Sequence, residues 1–385
     1  MVASVGDFAR SAVAAYRRLS GFEATETIRG GAFEIKGRVR FLRPERVSVE
    51  YSIYRDPIEQ LDEALTAARE FTGDELLGMW IAYDGHQTWI YDPKTNVAIK
   101  KPWRALFEPL PGIDSIAEIG FLDWLTQGFL LRDAGTEVMA GRKARVIGLK
   151  PKRPYRSQLL LSVSFPILRG SVGFDEETLF PLRITFFPSR GSALFPLLGP
   201  DRPITIEYND LRLEPPEPEA FNFSPPDDAR VFVEEPIDRD RPIDRLPFPL
   251  AIDPILNRGF QILEGGTSAV DEKNEKGYCT IVFARKDGDQ TPLLTLRAGN
   301  YLSRNMSRRK RLIGEKGENI ELSGRPARLL DRRSLWDYAL QDGETHPLSE
   351  VSWERDGLFL FLIGDGIEKE ELISLADALD IEPGS

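Results

Sequence analysis

The sequence predicts an α+β protein in which a large antiparallel sheet with a few helices is followed by a smaller unit. Near residue 33 the apolar residues change from helix-like spacing to alternation with polar residues, and strand-like stretches separated by turns recur as far as Val233. A proline- and charge-rich stretch over 236–249 is typical of a linker. We therefore predict one domain over 1–235 and a second, an antiparallel sheet ending in a helix, over 250–385.

The first element is predicted to be a helix. Apolar residues recur every three to four positions from Phe8 to Leu19, and Ser4 with Asp7 has the spacing of a capping box. Two more helices are predicted within the first domain, one over 57–72 and a weaker one from Ile113 to Leu125.

Two neighbouring stretches, FEIKGRVRF and RVSVEYSI, indicate a sheet with one wet and one buried face. Charged or polar residues alternate with apolar ones in both, and RPE between them is typical of a turn. The same alternation returns in PLRITFF. The residues predicted to face inward together, as the apolar face of a binding site, are Phe33, Ile35, Val39, Phe41, Val47, Val49, Tyr51, Ile53, Leu182, Ile184 and Phe186.

The stretch WIAYDGHQTWIYDP, which begins at Trp80, is either a catalytic cluster around a histidine or a packed β-hairpin. Asp84-Gly85 between two strand patterns favours the hairpin and leaves His86 at its tip. A general base is better held in a dry pocket beside an orienting partner. Apolar residues on both faces of these strands predict that both faces are covered.

The composition gives little support for catalysis. The chain has two histidines and a single cysteine, Cys279, whose strand-like surroundings favour an inert packed thiol, so the usual zinc sites cannot form. We find no phosphate-binding glycine loop and no nucleophile elbow. We expect no enzyme, no catalytic residues, no metal and no cofactor. The net charge of −11 argues against nucleic acid as a partner.

Strand patterns in the second domain are GFQILE, GYCTIVFA, PLLTLRAG, NIELSGRPARLL and EVSWERDGLFLFLIG, followed by a helix whose stripe is Leu372, Leu375 and Leu379. The basic stretch SRNMSRRKR, Ser303 to Arg311, is interpreted as a solvated loop. The alternative is peripheral contact with anionic lipid head groups.

One predicted loop, SALFPLLGP over 192–200, is unusually apolar for a connection that should run over the surface. Either it folds back on the rest of the protein, or it is an exposed tip that enters a membrane or receives a partner. The residues concerned are Leu194, Phe195, Leu197 and Leu198.

An ordered set of motifs resembles the LolA/LolB-type lipoprotein-carrier superfamily, which includes RseB-like envelope regulators. The motifs are LSGFEATETI, FEIKGRVRFLRPERVSVEYS, IAYDGHQTWIYDP, MAGRKARVIGLKPK, VGFDEETLFPLRITFF and FNFSPPDDARVFV. The second domain resembles a small domain that follows such carriers in Gram-positive-type bacteria, through IELSGRPARLL, VSWERDGLFLFLIG and EKEELISLADAL.

This resemblance implies a half-open antiparallel β-barrel covered by helices, whose apolar face holds acyl chains of a lipid or an acylated lipoprotein. The alternative is an RseB-like regulator that binds an envelope protein. It also implies an extracytoplasmic location, with or without a lipid anchor. The chain carries no recognisable signal peptide, so we expect either an export product without its signal or a cytosolic protein. Amphipathic strands do not decide between a hollow barrel and a filled core.

Overall fold

The computed structural model describes residues 4–30, 33–43, 46–55, 78–102, 125–152, 155–157, 165–188, 203–237, 245–263, 266–285, 292–333 and 347–380. Contacts group the described residues into two units, unit 1 up to Ala229 and unit 2 from Arg230. The strand Arg230–Pro236 belongs to unit 2 because it pairs with Thr267–Asp271. The domain limits read from the sequence stay predictions.

Unit 1 begins with helix α1 (Val5–Arg18) and continues as antiparallel strands. These are β1 (Gly21–Gly30), β2 (Phe33–Leu42), β3 (Arg46–Arg55), β4 (Trp80–Tyr83), β5 (Thr88–Asp92), β6 (Val97–Lys101), β7 (Phe129–Met139), β8 (Arg142–Pro151), β9 (Tyr155–Ser157), β10 (Phe165–Asp175), β11 (Pro181–Pro188) and β12 (Ile204–Arg212).

The described strands of unit 1 form one sheet in the order β7-β8-β10-β11-β12-β1-β2-β3-β4-β5-β6. The short strand β9 pairs with the first residues of β10. Every one of these pairings is antiparallel. The prediction of a large antiparallel sheet with few helices is therefore confirmed.

Helix α1 starts as its sequence predicts. The Ser4 hydroxyl accepts a hydrogen bond from the backbone N–H of Asp7, which satisfies one backbone donor of the first turn, and it donates one to the Asp7 carboxylate. Its buried residues, Ala9, Ala12, Val13 and Tyr16, form one stripe.

The predicted register of β2 and β3 is confirmed from Gly37 to Leu42. A register shift between Lys36 and Gly37 then pairs Ile53 with Lys36 and Tyr54 with Ile35, which differs from the predicted alternation at Ile53. Val39 lies opposite Val49, and Phe41 lies opposite Val47. All four side chains are buried, whereas Arg38 on the other face is exposed. A one-residue slip would exchange these faces, so burial of the apolar set fixes the register.

Strands β4 and β5 form the predicted hairpin, with His86 exposed in its turn. The Asp84 carboxylate accepts hydrogen bonds from the backbone N–H groups of His86 and Gln87. This bonding is typical of an Asx-type turn and explains why Asp-Gly marks the position.

The aromatic residues of the hairpin pack against a single ring. Trp80, Trp89 and Tyr91 surround Phe223 with ring centroids 4.8–5.4 Å away. Ile81 and Ile90 are buried on the opposite face. Both faces of the hairpin are therefore covered, as predicted.

Unit 2 is a second antiparallel sheet with three described α-helices. The strands are β13 (Arg230–Pro236), β14 (Gln261–Ile262), β15 (Thr267–Asp271), β16 (Lys276–Ala284), β17 (Leu293–Gly299), β18 (Glu318–Leu322), β19 (Arg325–Arg333), β20 (Pro347–Arg355) and β21 (Leu358–Asp365). The helices are α2 (Asp253–Leu256), α3 (Arg304–Lys316) and α4 (Lys369–Asp380). The strand order is β13-β15-β16-β17-β21-β20-β19-β18, with β14 beside β16.

Helices pack on both faces of this sheet. The predicted stripe of α4 is buried against Leu360 and Leu362, in a core that also contains Cys279. On the other face, α3 packs through Met306 and Ile313 against Phe361.

The interpretation of SRNMSRRKR as a loop is wrong, because this stretch forms the first turns of α3. The Ser303 hydroxyl accepts a hydrogen bond from the backbone N–H of Met306 and caps the helix. Arg309 is buried and lies 2.6 Å from the Glu350 carboxylate, and Lys310 pairs with Glu354 at 3.3 Å. These two cations are thus engaged within the unit, which weakens the alternative of lipid contact through them.

Several predicted features lie outside the described residues. They are the helix over 57–72, the helix from Ile113 apart from its last residue, the apolar loop with Leu194, Phe195, Leu197 and Leu198, and most of the linker. Within the described ranges, no helix is both long enough and apolar enough to cross a bilayer.

Candidate functional site

The inner face of unit 1 is defined here as the face of the sheet that carries two apolar rows running across the strands. The first row is Ala24, Val39, Val49, Ile81, Ile90 and Ile99. The second row is Ile28, Ile206, Ile184, Val172 and Ile147. Because side chains alternate along each strand, every second residue adds to this face, and successive strands extend it sideways.

The inner face is closely packed in this structure. Ile28, Ile147, Val172, Ile184 and Ile206 are each no more than 1% exposed. Side chains along an open channel would keep a substantial accessible surface, so these residues line no space large enough for water. A ligand against these five side chains therefore requires that something now packed there be displaced. Ile99, at the end of the first row, is half-buried.

Helix α1 packs against the inner face by its first turn. The ring of Phe8 meets Phe174 edge-on at 6.1 Å, and the Arg145 guanidinium lies 4.7 Å above the centre of the Phe8 ring. Phe174 and Arg145 are opposite each other on β10 and β8, on the face that carries Val172. Arg145 is held in turn by Asp133 at 2.5 Å, and this hydrogen bond lowers the pKa of the Asp133 carboxyl.

The other end of α1 is fastened by Arg43. Its guanidinium donates hydrogen bonds of 2.7 and 2.9 Å to the backbone carbonyls of Leu19 and Tyr16. The Leu19 carbonyl lies at the C-cap, beyond the last helical residue, and the Tyr16 carbonyl also accepts a 3.1 Å hydrogen bond from the Leu19 backbone N–H. The Tyr16 ring packs 6.2 Å from Phe180, which itself meets Phe22 at 5.1 Å.

One carboxylate lies within this apolar region. Glu26 on β1 is 3% exposed and accepts a 2.5 Å hydrogen bond from the Tyr208 hydroxyl on β12. Burial raises the pKa of the Tyr16 phenol well above its ordinary value, Arg43 opposes this rise, and the Glu26 charge adds to it. Tyr16 therefore stays neutral, and the arrangement holds α1 against the sheet rather than forming an acid–base pair.

On strands β1 to β3 the outer face of the same sheet is polar. Glu23 accepts hydrogen bonds from Arg38 at 2.5 Å and from Arg40 at 2.8 Å on the neighbouring strand. Burial disfavours the charged form of Glu23, but the two guanidinium groups outweigh it and hold its pKa below the ordinary value. Opposite charges face each other across strands here, which supports the register set by the inner face.

The structure brings together most of the predicted apolar residues. On the inner face lie Val39, Phe41, Val47, Val49, Tyr51, Leu182, Ile184 and Phe186, all buried. Phe33, Ile35 and Ile53 occupy positions in β2 and β3, and their side chains are outside the described part. The use of these residues in ligand binding stays a prediction.

Sequence reasoning missed several contributors to this face. Ile28, Ile147, Val172 and Ile206 complete the second row. Alternation in SVGFD and ITIEYND carried that signal, but Glu26 interrupts it in FEATETI. The partner that satisfies Glu26 is 182 residues away, so local pattern could not reveal it.

The described histidine and cysteine lie apart from any group of side chains that could hold a metal ion. His86 is exposed and lies in a turn, and His346 falls outside the described residues. Cys279 is buried, and burial raises the pKa of its thiol to about 12. In the described ranges, no three His, Cys, Asp or Glu side chains are grouped closely enough to hold a metal ion.

No protein-family model matches the sequence, and no curated protein matches it significantly. Among solved structures, the Pseudomonas aeruginosa MucA/MucB complex matches at 13% identity and a TM-score of 0.31, covering 97% of each chain. Mycobacterium tuberculosis lipoprotein LppX matches at 13% identity and a TM-score of 0.32, covering 55% of this chain and 97% of LppX.

A putative outer membrane lipoprotein-sorting protein domain from Vibrio parahaemolyticus matches at 13% identity and a TM-score of 0.27, covering 56% of this chain and 95% of that domain. With TM-scores of 0.27 to 0.32, these likenesses assign neither a family nor a role to the chain.

Proposed function

We propose that unit 1 is a non-catalytic binding domain for acyl chains, taken up from a lipid or an acylated lipoprotein between α1 and the inner face. The observation that carries the proposal is the pair of apolar rows on one face, the first across strands β1 to β6 and the second across β1, β12, β11, β10 and β8. An apolar sheet face binds an acyl chain by removing its methylenes from water, at about 0.8 kcal/mol per CH₂. The residues proposed to contact the ligand are the predicted inner-face set.

In this proposal, unit 1 is a half-open barrel and α1 is one of the elements that cover it. Polar groups orient the head group at the rim and take no part in bond making. The sequence resemblance supports an extracytoplasmic location, where lipids and lipoproteins are exchanged between membranes.

The test is uptake of a fluorescent fatty acid by the purified protein, with native mass spectrometry of the protein as isolated from cells. Two variants at neighbouring positions of β11 make the test specific. Ile184→Trp places a large ring on the inner face, and Thr185→Trp places the same ring on the outer face. We expect Ile184→Trp to weaken binding of the probe at least fivefold and Thr185→Trp to leave it unchanged.

The same pair of variants tests whether the inner face makes room for a ligand. In a core that stays filled, the ring overpacks and costs about 1–3 kcal/mol of stability. A lowered melting temperature of Ile184→Trp, together with no probe binding and no co-purified lipid in the parent protein, would contradict the proposal.

A second candidate function is RseB-like binding of an envelope protein. The observation that favours it is that unit 2 has its own core, built from strands and helix α4, which a simple acyl carrier does not need. A parent protein that carries no lipid but binds the extracytoplasmic segment of a membrane protein, and loses that binding when unit 2 is altered, would support this candidate instead.

A further inference from the structure

The charges of the chain are unevenly distributed around β8 to β10. Residues 138–174 contain eight Lys or Arg and no Asp or Glu, although the whole chain has a net charge of −11. A solvated strand pair in an acidic protein usually mixes both signs, as the Glu23–Arg38 and Glu23–Arg40 pairs do elsewhere on the same sheet. Three of these cations, Arg142, Lys143 and Arg145, form ion pairs with Asp175, Glu176 and Asp133. The positive charge that these pairs leave lies toward the other end of β8 and on β10.

Strand register places several of these cations side by side. Leu130 on β7 pairs with Lys150 on β8, and Arg169 on β10 pairs with Phe187 on β11. Because Leu149 pairs with Gly170, Lys150 and Arg169 are also neighbours. The four residues form one row across the end of the sheet, on the face opposite the buried Leu149 and Phe186.

The cations of this row are exposed, as are Arg132 and Lys152 beside it. The Arg169 guanidinium stacks 4.4 Å above the Phe187 ring, and the Lys152 ammonium donates a 3.0 Å hydrogen bond to the Gln127 carbonyl. Among the described residues, no carboxylate forms an ion pair with any of the four cations Arg132, Lys150, Lys152 and Arg169, so their positive charge is not neutralised there.

Two exposed leucines are neighbours of these cations in the strands, Leu130 within the row and Leu168 directly before Arg169. Leu130 is 56% exposed and Leu168, in an irregularity of β10, is 61% exposed. They are two of the few exposed large hydrophobic residues among those described. Isolated exposed leucines are ordinary, but here both adjoin unpaired cations.

We propose that this end of unit 1 docks on the surface of an anionic lipid bilayer. The docking patch is defined as Leu130, Arg132, Lys150, Lys152, Leu168 and Arg169. Basic residues are attracted to the negative surface potential of such a membrane, and the two leucines enter its interface. We choose the membrane because both kinds of residue in the patch interact with it, the cations with the head groups and the leucines with the interface.

The basic stretch at the start of α3, SRNMSRRKR, is the natural comparison, because its cations are as closely spaced as those of the docking patch. There, however, Arg309 is buried against Glu350 and Lys310 pairs with Glu354. The cations of the docking patch have no such ion pairs, so their charge is available to a membrane. Docking through this patch does not depend on whether the inner face holds a ligand.

The test is co-sedimentation of the full chain with vesicles of phosphatidylcholine alone and of phosphatidylcholine with phosphatidylglycerol. We expect binding only to the anionic vesicles, weakened by salt. Lys150→Glu with Arg169→Glu should lower the partition coefficient by at least about tenfold. The matched control is Lys273→Glu with Lys276→Glu, which makes the same change of charge at exposed positions of unit 2 and should leave binding within about twofold of the parent.

A separate pair of substitutions tests the contribution of the two leucines of the docking patch. Leu130→Ser with Leu168→Ser should weaken vesicle binding also at high salt, whereas Val138→Ser, at the far end of β7 and 75% exposed, should not. The proposal is overturned by equal binding to both kinds of vesicle, or by patch variants that bind like the parent while keeping its melting temperature. An equal loss of vesicle binding in the Lys273 and Lys276 control would show a general charge effect. Displacement of the protein from vesicles by inorganic phosphate at constant ionic strength would show a site for small anions. Either result also overturns the proposal.

Discussion

Replacing Phe8 with Ala removes the side chain that fastens the first turn of α1 to the inner face. The Phe8 ring is half-buried, meets Phe174 at 6.1 Å and lies under the Arg145 guanidinium at 4.7 Å. Half of the burial of a phenylalanine contributes about 1 kcal/mol, and the ring pair and the cation–π contact about 0.5–1 kcal/mol each. The variant should therefore weaken docking of α1 by about 2–3 kcal/mol.

This loss has a kinetic consequence if α1 must move before an acyl chain enters. A change of about 2 kcal/mol raises the population of undocked helix roughly thirtyfold. We expect stopped-flow uptake of a fluorescent fatty acid by Phe8→Ala to be faster by about that factor, with a lower melting temperature. The control is Arg10→Ala on the same helix, since Arg10 is exposed and its pair with Asp7 is worth little.

The reasoning would be refuted by a particular combination of results. If Phe8→Ala lowers the melting temperature but the uptake rate equals that of the parent, α1 docks as described and is not the element that admits the ligand. If neither quantity changes, the contacts of Phe8 with Phe174 and Arg145 contribute no measurable stability.

Three further outcomes are expected. Arg309→Met should destabilise unit 2 in urea by about 3–5 kcal/mol because it breaks a buried ion pair, whereas Lys310→Met should cost no more than about 1 kcal/mol. Cys279, with a pKa near 12 and no exposed surface, should resist a thiol reagent at pH 8 in the native protein and react as unit 2 unfolds in urea. Asp84→Ala should cost about 1 kcal/mol in thermal unfolding through its lost turn hydrogen bonds, whereas His86→Ala should change neither stability nor probe binding.

The sheet of unit 1 could be predicted because one of its faces is wet. Val39 and Val49 alternate with charged or polar residues, and water on the outer face forces that alternation. Helix α3 could not be recognised in the same way. Its inward stripe is Met306, Arg309 and Ile313, and the arginine in the middle hides the periodicity, since its partner Glu350 is 41 residues further on.

Two stretches of unit 2 that read as single strands in the sequence each contain a tight turn. NIELSGRPARLL and EVSWERDGLFLFLIG are each a hairpin, formed by β18 with β19 and by β20 with β21. The turns are Ser323-Gly324 and Asp356-Gly357, in which both residues have positive φ. Such two-residue turns match the twist of the strands and interrupt the apolar pattern only briefly.

The close packing of the inner face affects how firmly a ligand could be held there. The apolar surface of the inner face is already out of water before any ligand arrives. Binding would therefore remove only the apolar surface of the ligand from water. The free energy of the contacts that Phe8 and its neighbours on α1 lose when the helix moves away reduces this gain. The helix and the acyl chain would thus compete for the same surface. Because docking of the helix replaces the acyl chain, release of the chain would need no external source of energy. Moderate affinity and ready release would follow from a single packing arrangement.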